Sequence, residues 1–397
     1  MTAVVLPGIT VLDLTRVMSG PYCTLMLADM GARVIKIEHP QRGDDTRAWG
    51  PPFVNGESVY FLSVNRNKES LTLDFKQTEG RRILDALLHR ADVLVENFRP
   101  GTLERLGLDY ASLAARHRRL IYASISGYGH TGPLQHLAGY DAVAQAEGGL
   151  MSITGDPDGP PFRLGLPIVD LVSGLFAVQG ILLALLSRGV TGRGQYVDIA
   201  MHDAVAALLT YQAAGYLATG KNPPRMGNAH ESIVPYGTFD VRDGLVMLAV
   251  GNDDQFRRFC EVAGIPALAS DARFGTNPQR VAHRDELLPM LAPLLRTRDR
   301  DEWTRVLRAA GVPCGAVRTI GEMLADPQLA AREMIAPVLH PNAGPLRLVG
   351  SPVKLSGATA RPDRPSPALG EHTDAILINE LGFSADEVCG LRQRGVV

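Results

Sequence analysis

A single carboxylate interrupts a long apolar stretch of the chain. Asp170 is the only charged residue between positions 165 and 186, and burying an unpaired charge is unfavourable. An aspartate at the start of a helix can accept hydrogen bonds from free backbone N–H groups as an N-cap. The same helix terminus would stabilise a carboxylate used as a nucleophile. Local sequence favours the capping role, and the two roles are compatible.

Metal or redox chemistry is not indicated elsewhere in the chain. The four cysteines, at positions 23, 260, 314 and 389, are too far apart for a CxxC pair or a metal knuckle. The ten histidines form no HxH or HExxH pattern. Sparse thiols are typical of a reducing compartment, and residues 1–7 carry no positive charge ahead of an apolar run. We therefore expect a cytoplasmic protein with no metal and no signal peptide.

Charge and hydropathy argue against two further classes of partner. The net charge is −2, so nothing indicates binding to nucleic acid or to an anionic membrane surface. The apolar run at 168–186 is long enough to cross a bilayer. It contains Asp170, Ser173 and Gln179, however, and no comparable run accompanies it. We therefore predict a helix buried in a soluble core.

The elements that must position Asp170 alternate between strand and helix patterns. Repeated β-α-β units are typical of a parallel, doubly wound α/β sheet. The predicted strands are 10–14, 33–38, 70–74, 91–97 and 120–126. After residue 221 the pattern changes to that of a smaller α+β domain. We predict a large domain at 1–221, a small domain at 222–334 and a C-terminal segment at 335–397.

The loops that follow four of these strands are marked by glycine, proline and asparagine. They are residues 15–20, 38–40, 97–101 and 127–133. Each loop alone is adequately explained as a turn. Because ligands of such sheets bind beyond the carboxyl ends of the strands, four loops at one edge indicate a cleft. The first loop lacks the G-x-G-x-x-G of dinucleotide sites, so NAD is not expected, although Glu38 imitates the ribose-binding acid.

Taken together, these segments resemble the class III CoA-transferase family of the CaiB/BaiF type, which includes formyl-CoA:oxalate CoA-transferase. The resemblance runs nearly end to end, and its motifs appear in order. Longer strings, such as 43–53 and 138–143, resemble the succinyl-CoA:glutarate branch more closely. The matching segments are Asp170 and residues 17–21, 31–38, 43–47, 65–68, 95–98, 127–129, 191–195, 311–315 and 369–374.

The resemblance implies a fold and a mechanism. The fold is a Rossmann-like large domain, completed by the C-terminal tail, with a small domain between, in an interlocked homodimer. The partners are an acyl-CoA and a small carboxylic acid, and no cofactor is permanently bound. The family's nucleophilic aspartate corresponds to Asp170, which would form first a mixed anhydride and then an aspartyl-CoA thioester. Covalent catalysis of this kind conserves the energy of the thioester.

The resemblance also implies a CoA site. His39 departs from the formyl-CoA transferase pattern, which has arginine at this position. The glycine-rich loop of that enzyme's small domain is absent, and the nearest candidate for a substrate loop is 232–236 with Gly251 and Asn252. The implied CoA contacts are Val17, Met18, His39, Leu73 to Lys76, Asn97, Phe98, Arg99, Arg105, and Leu137 to Tyr140.

Two other functions within this fold remain open. Acyl-CoA racemases of the same superfamily use a histidine base in a Gly-His-Asp context, where this chain has Tyr140 and Asp141. A phenol with an unperturbed pKa near 10 is a poor base for an α-proton, so transfer is favoured and Tyr140 would instead orient a carboxylate. A CoA-binding protein without catalysis is the remaining alternative.

The acceptor is predicted to be a short dicarboxylic acid, with succinyl-CoA as the donor. A second carboxylate needs a cation, and Arg47 and Arg66 are the candidates. Both are equally well explained as solvated surface arginines. Itaconate, mesaconate, citramalate and oxalate remain alternative acceptors to glutarate.

Overall fold

The computed structural model describes residues 4–358 and 364–397. Residues 1–3 of the N-terminus and 359–363 of the predicted C-terminal segment lie outside that range. Contacts divide the chain into a large unit, residues 1–150, 163–220 and 327–397, and a small unit, residues 151–162 and 221–326. Residues 151–162 and 327–334 are thus grouped differently from the predicted boundaries, because contacts between distant segments do not register in local composition.

A six-stranded parallel sheet forms the large unit. We label its strands β1 (Thr10–Asp13), β2 (Arg33–Glu38), β3 (Lys68–Thr72), β4 (Val93–Glu96), β5 (Ile121–Ser126) and β6 (Tyr196–Ala200). All neighbouring strands pair in parallel, in the order β3-β2-β1-β4-β5-β6. The doubly wound prediction is confirmed, and this strand order is the Rossmann one. The order in which the chain adds strands reverses between β1 and β4, and sheets of this kind bind their ligands in the crevice at that point.

Apolar side chains alternate to the two faces of this sheet. From β1, Leu12 enters one buried cluster and Val11 the other. The Leu12 cluster is completed by C-terminal residues, including Ile376 and Val396, which are almost fully buried. Burial of apolar area on both faces is typical of parallel sheets, and it fixes the C-terminal segment to the large unit.

The long helix Ile168–Thr191 covers the second face of the sheet. Its buried side, which includes Ala177, Ile181 and Ala184, packs into the Val11 cluster. Leu183, Leu186 and Val190 on the other side are 58%, 71% and 90% exposed in the single chain. The predicted core helix is therefore buried along one side only. Within the described residues, this is the one helix that is long and apolar enough to span a bilayer. The core helices of soluble proteins pass the same test.

The remaining elements of the large unit connect and cover the sheet. A short hairpin joins Phe53–Val54 to Glu57–Ser58, and a second pairs Ile335–His340 with Gly344–Val349. The helices besides the long helix are Ser19–Asp29, Val59–Val64, Thr78–Leu88, Tyr110–Ala114, Asp141–Glu147, Met201–Leu208, Thr210–Thr219, Pro327–Ala331, Thr373–Ala375, the π-helix Ile376–Glu380, and Ala385–Gln393. Single 3₁₀ turns are formed by Asp45–Ala48, Glu104–Leu106 and Leu150–Ile153.

The small unit has its own sheet and core. Three antiparallel strands, Tyr236–Val241, Gly244–Ala249 and Cys314–Ala316, pair around the central one. Trp303, Phe256 and Phe259 are fully buried beneath them. This mixture of antiparallel strands and helices agrees with the predicted α+β class. The helices are Asp253–Val262, Pro266–Ala269, Asn277–Ala282, Arg284–Leu295, Arg300–Ala309 and Ile320–Leu324.

Candidate active site

A cavity of about 270 Å³ opens where the sheet order reverses. The loops that follow β1 and β4 form two of its walls, and the start of the long helix places Asp170 in it. The structure brings together most of the predicted site residues in this cavity. They are Val17, Met18, Asn97, Phe98, Arg99, Leu137, Tyr140 and Asp170.

Asp170 is not the N-cap of its helix, contrary to the role favoured by local sequence. The helix begins at Ile168, so Asp170 is its third residue, and Pro167 at the cap position makes no side-chain capping bond. Asp141 supplies the cap from another helix, because its Oδ1 accepts hydrogen bonds from Val169 N (2.8 Å) and Asp170 N (3.3 Å). The carboxylate of Asp170 is therefore not used to cap its helix.

The electrostatic surroundings of Asp170 disfavour its charge. Burial and, to a smaller extent, the negative charge of Asp141 raise the pKa of Asp170 to about 7, although a hydrogen bond from the Ser19 side chain acts to lower it. Burial also raises the pKa of Tyr60 to about 12, with contributions from Asp170 and Asp141. A carboxylate whose pKa lies near neutrality is a common feature of catalytic sites.

Two close backbone approaches position this carboxylate. The long helix passes so near the first loop that a Cβ at Gly174 would lie 2.7 Å from the Ser19 carbonyl oxygen. Gly174 is one turn after Asp170, so this contact brings the carboxylate beside Ser19. A Cβ at Gly127 would lie 2.6 Å from the Gly139 backbone, a crossing that sets the position of the segment leading to Tyr140. Any larger residue at these glycines would force the loops apart.

A second, smaller cavity of about 40 Å³ adjoins the first. Arg16 and Phe98 line both cavities, and the Arg16 guanidinium lies 5.0 Å from the centroid of the Phe98 ring. The predicted contacts His39, Leu73 and Lys76 line this second cavity, together with Arg42. The two cavities form a cleft with Asp170 at one end and, at the other, the cations Arg42 and Lys76 beside the carboxylates of Glu38, Asp44 and Asp74.

The loop after β4 is held rigidly at the centre of the cleft. Asn97 bonds the Arg16 backbone twice, accepting from its N–H and donating to its carbonyl oxygen, both at 2.8 Å. Glu96 accepts from Phe98 N at 2.8 Å, and burial raises the pKa of Glu96 to about 7. Asn97 therefore serves to join two loops, and Glu96 is a supporting residue that sequence reasoning did not identify.

Three predicted positions fall outside the cleft. Arg105 lies on the exposed turn Glu104–Leu106 and lines neither cavity. Arg47 pairs with Glu38 at 2.7 Å and stacks 3.7 Å from the Phe61 ring centroid. Arg66 is buried against Asp29 at 2.6 Å. The two candidate cations for a substrate carboxylate, Arg47 and Arg66, are thus ion-paired inside the large unit and line neither cavity, and neither is a solvated surface arginine.

The predicted substrate loop lies in the small unit. Its two segments are adjacent, since Val250 N donates to the Pro235 carbonyl oxygen at 3.1 Å. Asn252 caps the helix Asp253–Val262 by accepting from Gln255 N at 2.9 Å. Its side-chain oxygen thus has a structural role within that unit.

Comparisons with known proteins decide the family. The model of CoA-transferase family III matches residues 6–373. The chain belongs to CoA-transferase family III. The transferase is 44% identical to succinate–glutarate CoA-transferase of Agrobacterium fabrum, over 94% of each chain. It is 41% identical to succinyl-CoA:glutarate CoA-transferase of Mus musculus, over 99% of this chain and 90% of the mouse protein.

A solved structure extends the likeness to the fold. A CaiB/BaiF family protein from Brucella suis superposes with a TM-score of 0.85 and 43% identity, covering 94% of the transferase and 98% of that chain. The resemblance identified from sequence motifs is therefore confirmed. Within the described residues of the transferase, no group of three or more His, Cys, Asp or Glu side chains is arranged to hold a metal ion.

Some residues of the cleft were not predicted individually as site residues of the transferase, although the segments 15–20 and 43–47 were marked. Arg16, Asp45 and Met201 line the first cavity, and Ser19 bonds the Asp170 side chain. Ser19 precedes a Gly-Pro pair at the start of a helix, which marks the turn but not its neighbour 151 positions along the chain. Contacts at this separation are made by tertiary packing alone.

We expect the charge of Asp141 to raise the pH at which the transferase becomes active. In Asp141→Asn, the amide keeps an oxygen for the helix cap but no longer repels the Asp170 charge, so the pKa of Asp170 falls. A nucleophilic carboxylate must be ionised, so activity is lost as pH falls through about 7. We expect the acidic limb of kcat/KM, measured from pH 5 to 9, to move to lower pH in this variant.

Asp45→Asn is the matched control, because Asp45 lines the same cavity but does not contribute to the shift at Asp170. Its acidic limb should stay where the unmodified chain has it. An unmoved limb in Asp141→Asn would show that another group controls ionisation.

Proposed function

We propose that this CoA-transferase moves CoA from succinyl-CoA to a short dicarboxylic acid, using Asp170 as a covalent nucleophile. The observation that carries the proposal is the placement of Asp170. Its carboxylate lies in the cavity at the switch point of the sheet, and Asp141 takes over the capping work. The names of the relatives that act on succinate or succinyl-CoA and glutarate support the choice of substrates.

The chemistry proceeds through two kinds of acyl intermediate. The Asp170 carboxylate attacks the donor thioester, the C–S bond breaks, and a mixed anhydride and CoA thiolate form. The thiolate then attacks the aspartyl carbonyl, releasing the donor acid and leaving an aspartyl-CoA thioester. The acceptor carboxylate attacks that thioester to form a second anhydride and free the thiolate again. Attack of the thiolate on the acceptor acyl carbon yields the new acyl-CoA and restores Asp170.

Two helix N-termini support these steps. The helix Ser19–Asp29 starts at the cavity, and its N-cap residue Met18 makes no side-chain capping bond. Its first N–H groups therefore suit an oxyanion formed on the reacting carbonyl. The long helix presents Asp170 in its own first turn. Arg16 and Arg99 line the cavity and replace Arg47 and Arg66 as the cations proposed for the second carboxylate.

The racemase alternative is less well supported by the cavity. Tyr140 is 63% exposed and begins the helix Asp141–Glu147, and no histidine lines the first cavity within the described residues. The non-catalytic alternative does not account for the raised pKa of Asp170. Deuterium exchange at the α-carbon of a branched acyl-CoA, without acyl transfer, would favour the racemase.

A panel of acceptor acids tests the substrate assignment. Succinyl-CoA is incubated with isotope-labelled glutarate, itaconate, mesaconate, citramalate, oxalate or the monocarboxylic acid acetate, and the acyl-CoA products are read by mass spectrometry. We expect labelled glutaryl-CoA to form fastest, and binding of CoA without any transfer would contradict the proposal. Preference for a monocarboxylic acid such as acetate would remove the dicarboxylate assignment while leaving transfer intact.

We also propose that the transferase works as a homodimer, interlocked as the resemblance implies. The exposed leucines of the long helix, together with Tyr211 and Leu217 of the helix Thr210–Thr219, form apolar surface that a second copy would bury. Light scattering at micromolar concentration should give twice the 42.7 kDa chain mass.

We further propose a cytoplasmic enzyme that needs neither metal nor resident cofactor, so dialysis against EDTA should leave its rate unchanged.

A further inference from the structure

The loop between β1 and the helix Ser19–Asp29 contains an unusual backbone conformation. Val17 has a φ of +68°, a left-handed conformation that is a genuine outlier for a β-branched residue. Such strain persists only where the surroundings hold it, and it concentrates at functional sites. Val17 and the next two residues, Met18 and Ser19, line the Asp170 cavity.

The buried ion pair between Lys36 and Asp44 is hydrogen-bonded to the backbone of this loop. Val17 N donates to both carboxylate oxygens of Asp44, each at 3.3 Å. Lys36 Nζ lies 2.9 Å from Asp44 Oδ2, and the two side chains are 0% and 1% exposed. Lys36 also donates to the Thr15 carbonyl oxygen at 2.8 Å. The pair therefore contacts the loop on both sides of Arg16.

The Asp44 carboxylate is itself held in place. Thr46 donates to its Oδ1 from the backbone at 2.9 Å and from the hydroxyl at 2.8 Å. Burial raises the pKa of Asp44, but Lys36 and the Thr46 bonds outweigh it, so the carboxyl stays ionised. Asn97 fixes Arg16, the residue between the two contacts, through its backbone N–H and carbonyl oxygen. Three consecutive loop residues are thus hydrogen-bonded by side chains of neighbouring segments.

We propose that Lys36 and Asp44 are positioning residues that hold Val17 in its left-handed conformation and so place Met18 and Ser19 beside Asp170. The part of this inference that concerns Asp170 rests on the proposed function, whereas the placement of Val17 and Met18 for CoA does not. Charge-assisted hydrogen bonds donated to a buried carboxylate are strong enough to offset strain of this kind. Glycine adopts a positive φ without that strain, which gives the inference a direct test.

A double-mutant cycle measures the coupling between Asp44 and Val17. Asp44→Ala removes the acceptor, and we expect kcat/KM to fall on the order of 100-fold because a misplaced reactive group is costly. Val17→Gly has a cost of its own through lost apolar contact. In the double variant, glycine reaches the conformation unaided, so kcat/KM should recover roughly tenfold above Asp44→Ala. Asp44→Asn, which keeps one oxygen, should retain more activity than Asp44→Ala.

The matched control removes an equally buried partner elsewhere. Asp29→Ala breaks the Asp29–Arg66 pair, whose side chains are 2% and 7% exposed, at the far end of the same helix. We expect it to lower the melting temperature without being rescued by Val17→Gly. Multiplicative losses in the Asp44 and Val17 double variant, or equal rescue of Asp29→Ala, would overturn the positioning role.

A binding measurement separates this inference from the proposed mechanism. The dissociation constant of free CoA, measured by calorimetry, should increase in Asp44→Ala. It should fall back toward the value of the unmodified chain in the double variant, even if Asp170 is not the nucleophile. If Asp44→Ala does not fold, the same cycle is run with Asp44→Asn. Unchanged CoA affinity together with unchanged kcat/KM in a folded Asp44 variant would contradict the inference outright.

Discussion

Replacing Asp170 by asparagine will abolish CoA transfer, with a loss of at least about 10⁴-fold in kcat. The amide is nearly the same size as the carboxylate, so the helix and its Asp141 cap stay in place. Its oxygen is not a nucleophile, however, and neither the anhydride nor the aspartyl-CoA thioester can form. A residue that only capped the helix would instead cost about 1 kcal/mol of stability and little activity.

The measurement is the formation of labelled acyl-CoA from succinyl-CoA and labelled glutarate. Asp203→Asn is the matched control, because Asp203 is likewise the third residue of its helix, Met201–Leu208, and is exposed. It should retain the full rate. Incubation of the unmodified enzyme with succinyl-CoA should also leave an adduct of CoA mass on the peptide that contains Asp170. Undiminished transfer by Asp170→Asn would remove Asp170 as the nucleophile.

Replacing Lys68 by methionine will destabilise the large unit by about 3–5 kcal/mol, as expected when one partner of a buried ion pair is removed. Lys68 Nζ lies 3.1 Å from Asp13 Oδ2, and both side chains are 0% exposed. Lys68 also donates to the Pro21 carbonyl oxygen and to Asn65 Oδ1, both at 2.9 Å. Methionine fills the volume but leaves the Asp13 charge without that partner.

The free energy of unfolding, obtained from denaturant titration, measures this effect. Lys354→Met, at an exposed position, is the control and should change stability by less than about 0.5 kcal/mol. Because Lys68 is outside both cavities, CoA affinity of the folded fraction should be preserved. A stability change no larger than the control's would show that Lys36 and the hydrogen bonds donated by the hydroxyls of Thr15 and Thr24 are sufficient to stabilise the Asp13 charge.

Much of the large unit was predictable because its patterns are local. Strand β2 begins and ends where the alternation of apolar residues placed it, at Arg33 and Glu38. Loops rich in glycine and proline follow parallel strands, so their common edge could be inferred before any contact was known. The strand predicted at 70–74 is shifted by two residues in β3, Lys68–Thr72, because the polar Lys68 satisfies its charge inside the protein.

The charged residues were predicted less well. The motif at 65–68 suggested a family, and Arg66 suggested a substrate contact, yet Arg66 and Lys68 are both buried ion-pair partners. Arg47 likewise pairs with Glu38. Sequence pattern shows that a residue carries a charge, but its partner is chosen by packing between segments far apart in the chain.

Asp170 illustrates which properties follow from the sequence alone and which depend on the tertiary structure. The residue types and their order were sufficient for the parallel fold and the family, and they led to the proposal that Asp170 is the reactive carboxylate, since each rests on local periodicity or on a motif. Its capping role is taken by Asp141, and its pKa rises to about 7 chiefly through burial, with a smaller contribution from the charge of Asp141 and an opposing hydrogen bond from Ser19. These neighbours are brought to it by the packing of the helix Asp141–Glu147 on the long helix and by the close approach of two helices at Gly174. Electrostatics acts through distance in space, and only the tertiary structure sets those distances.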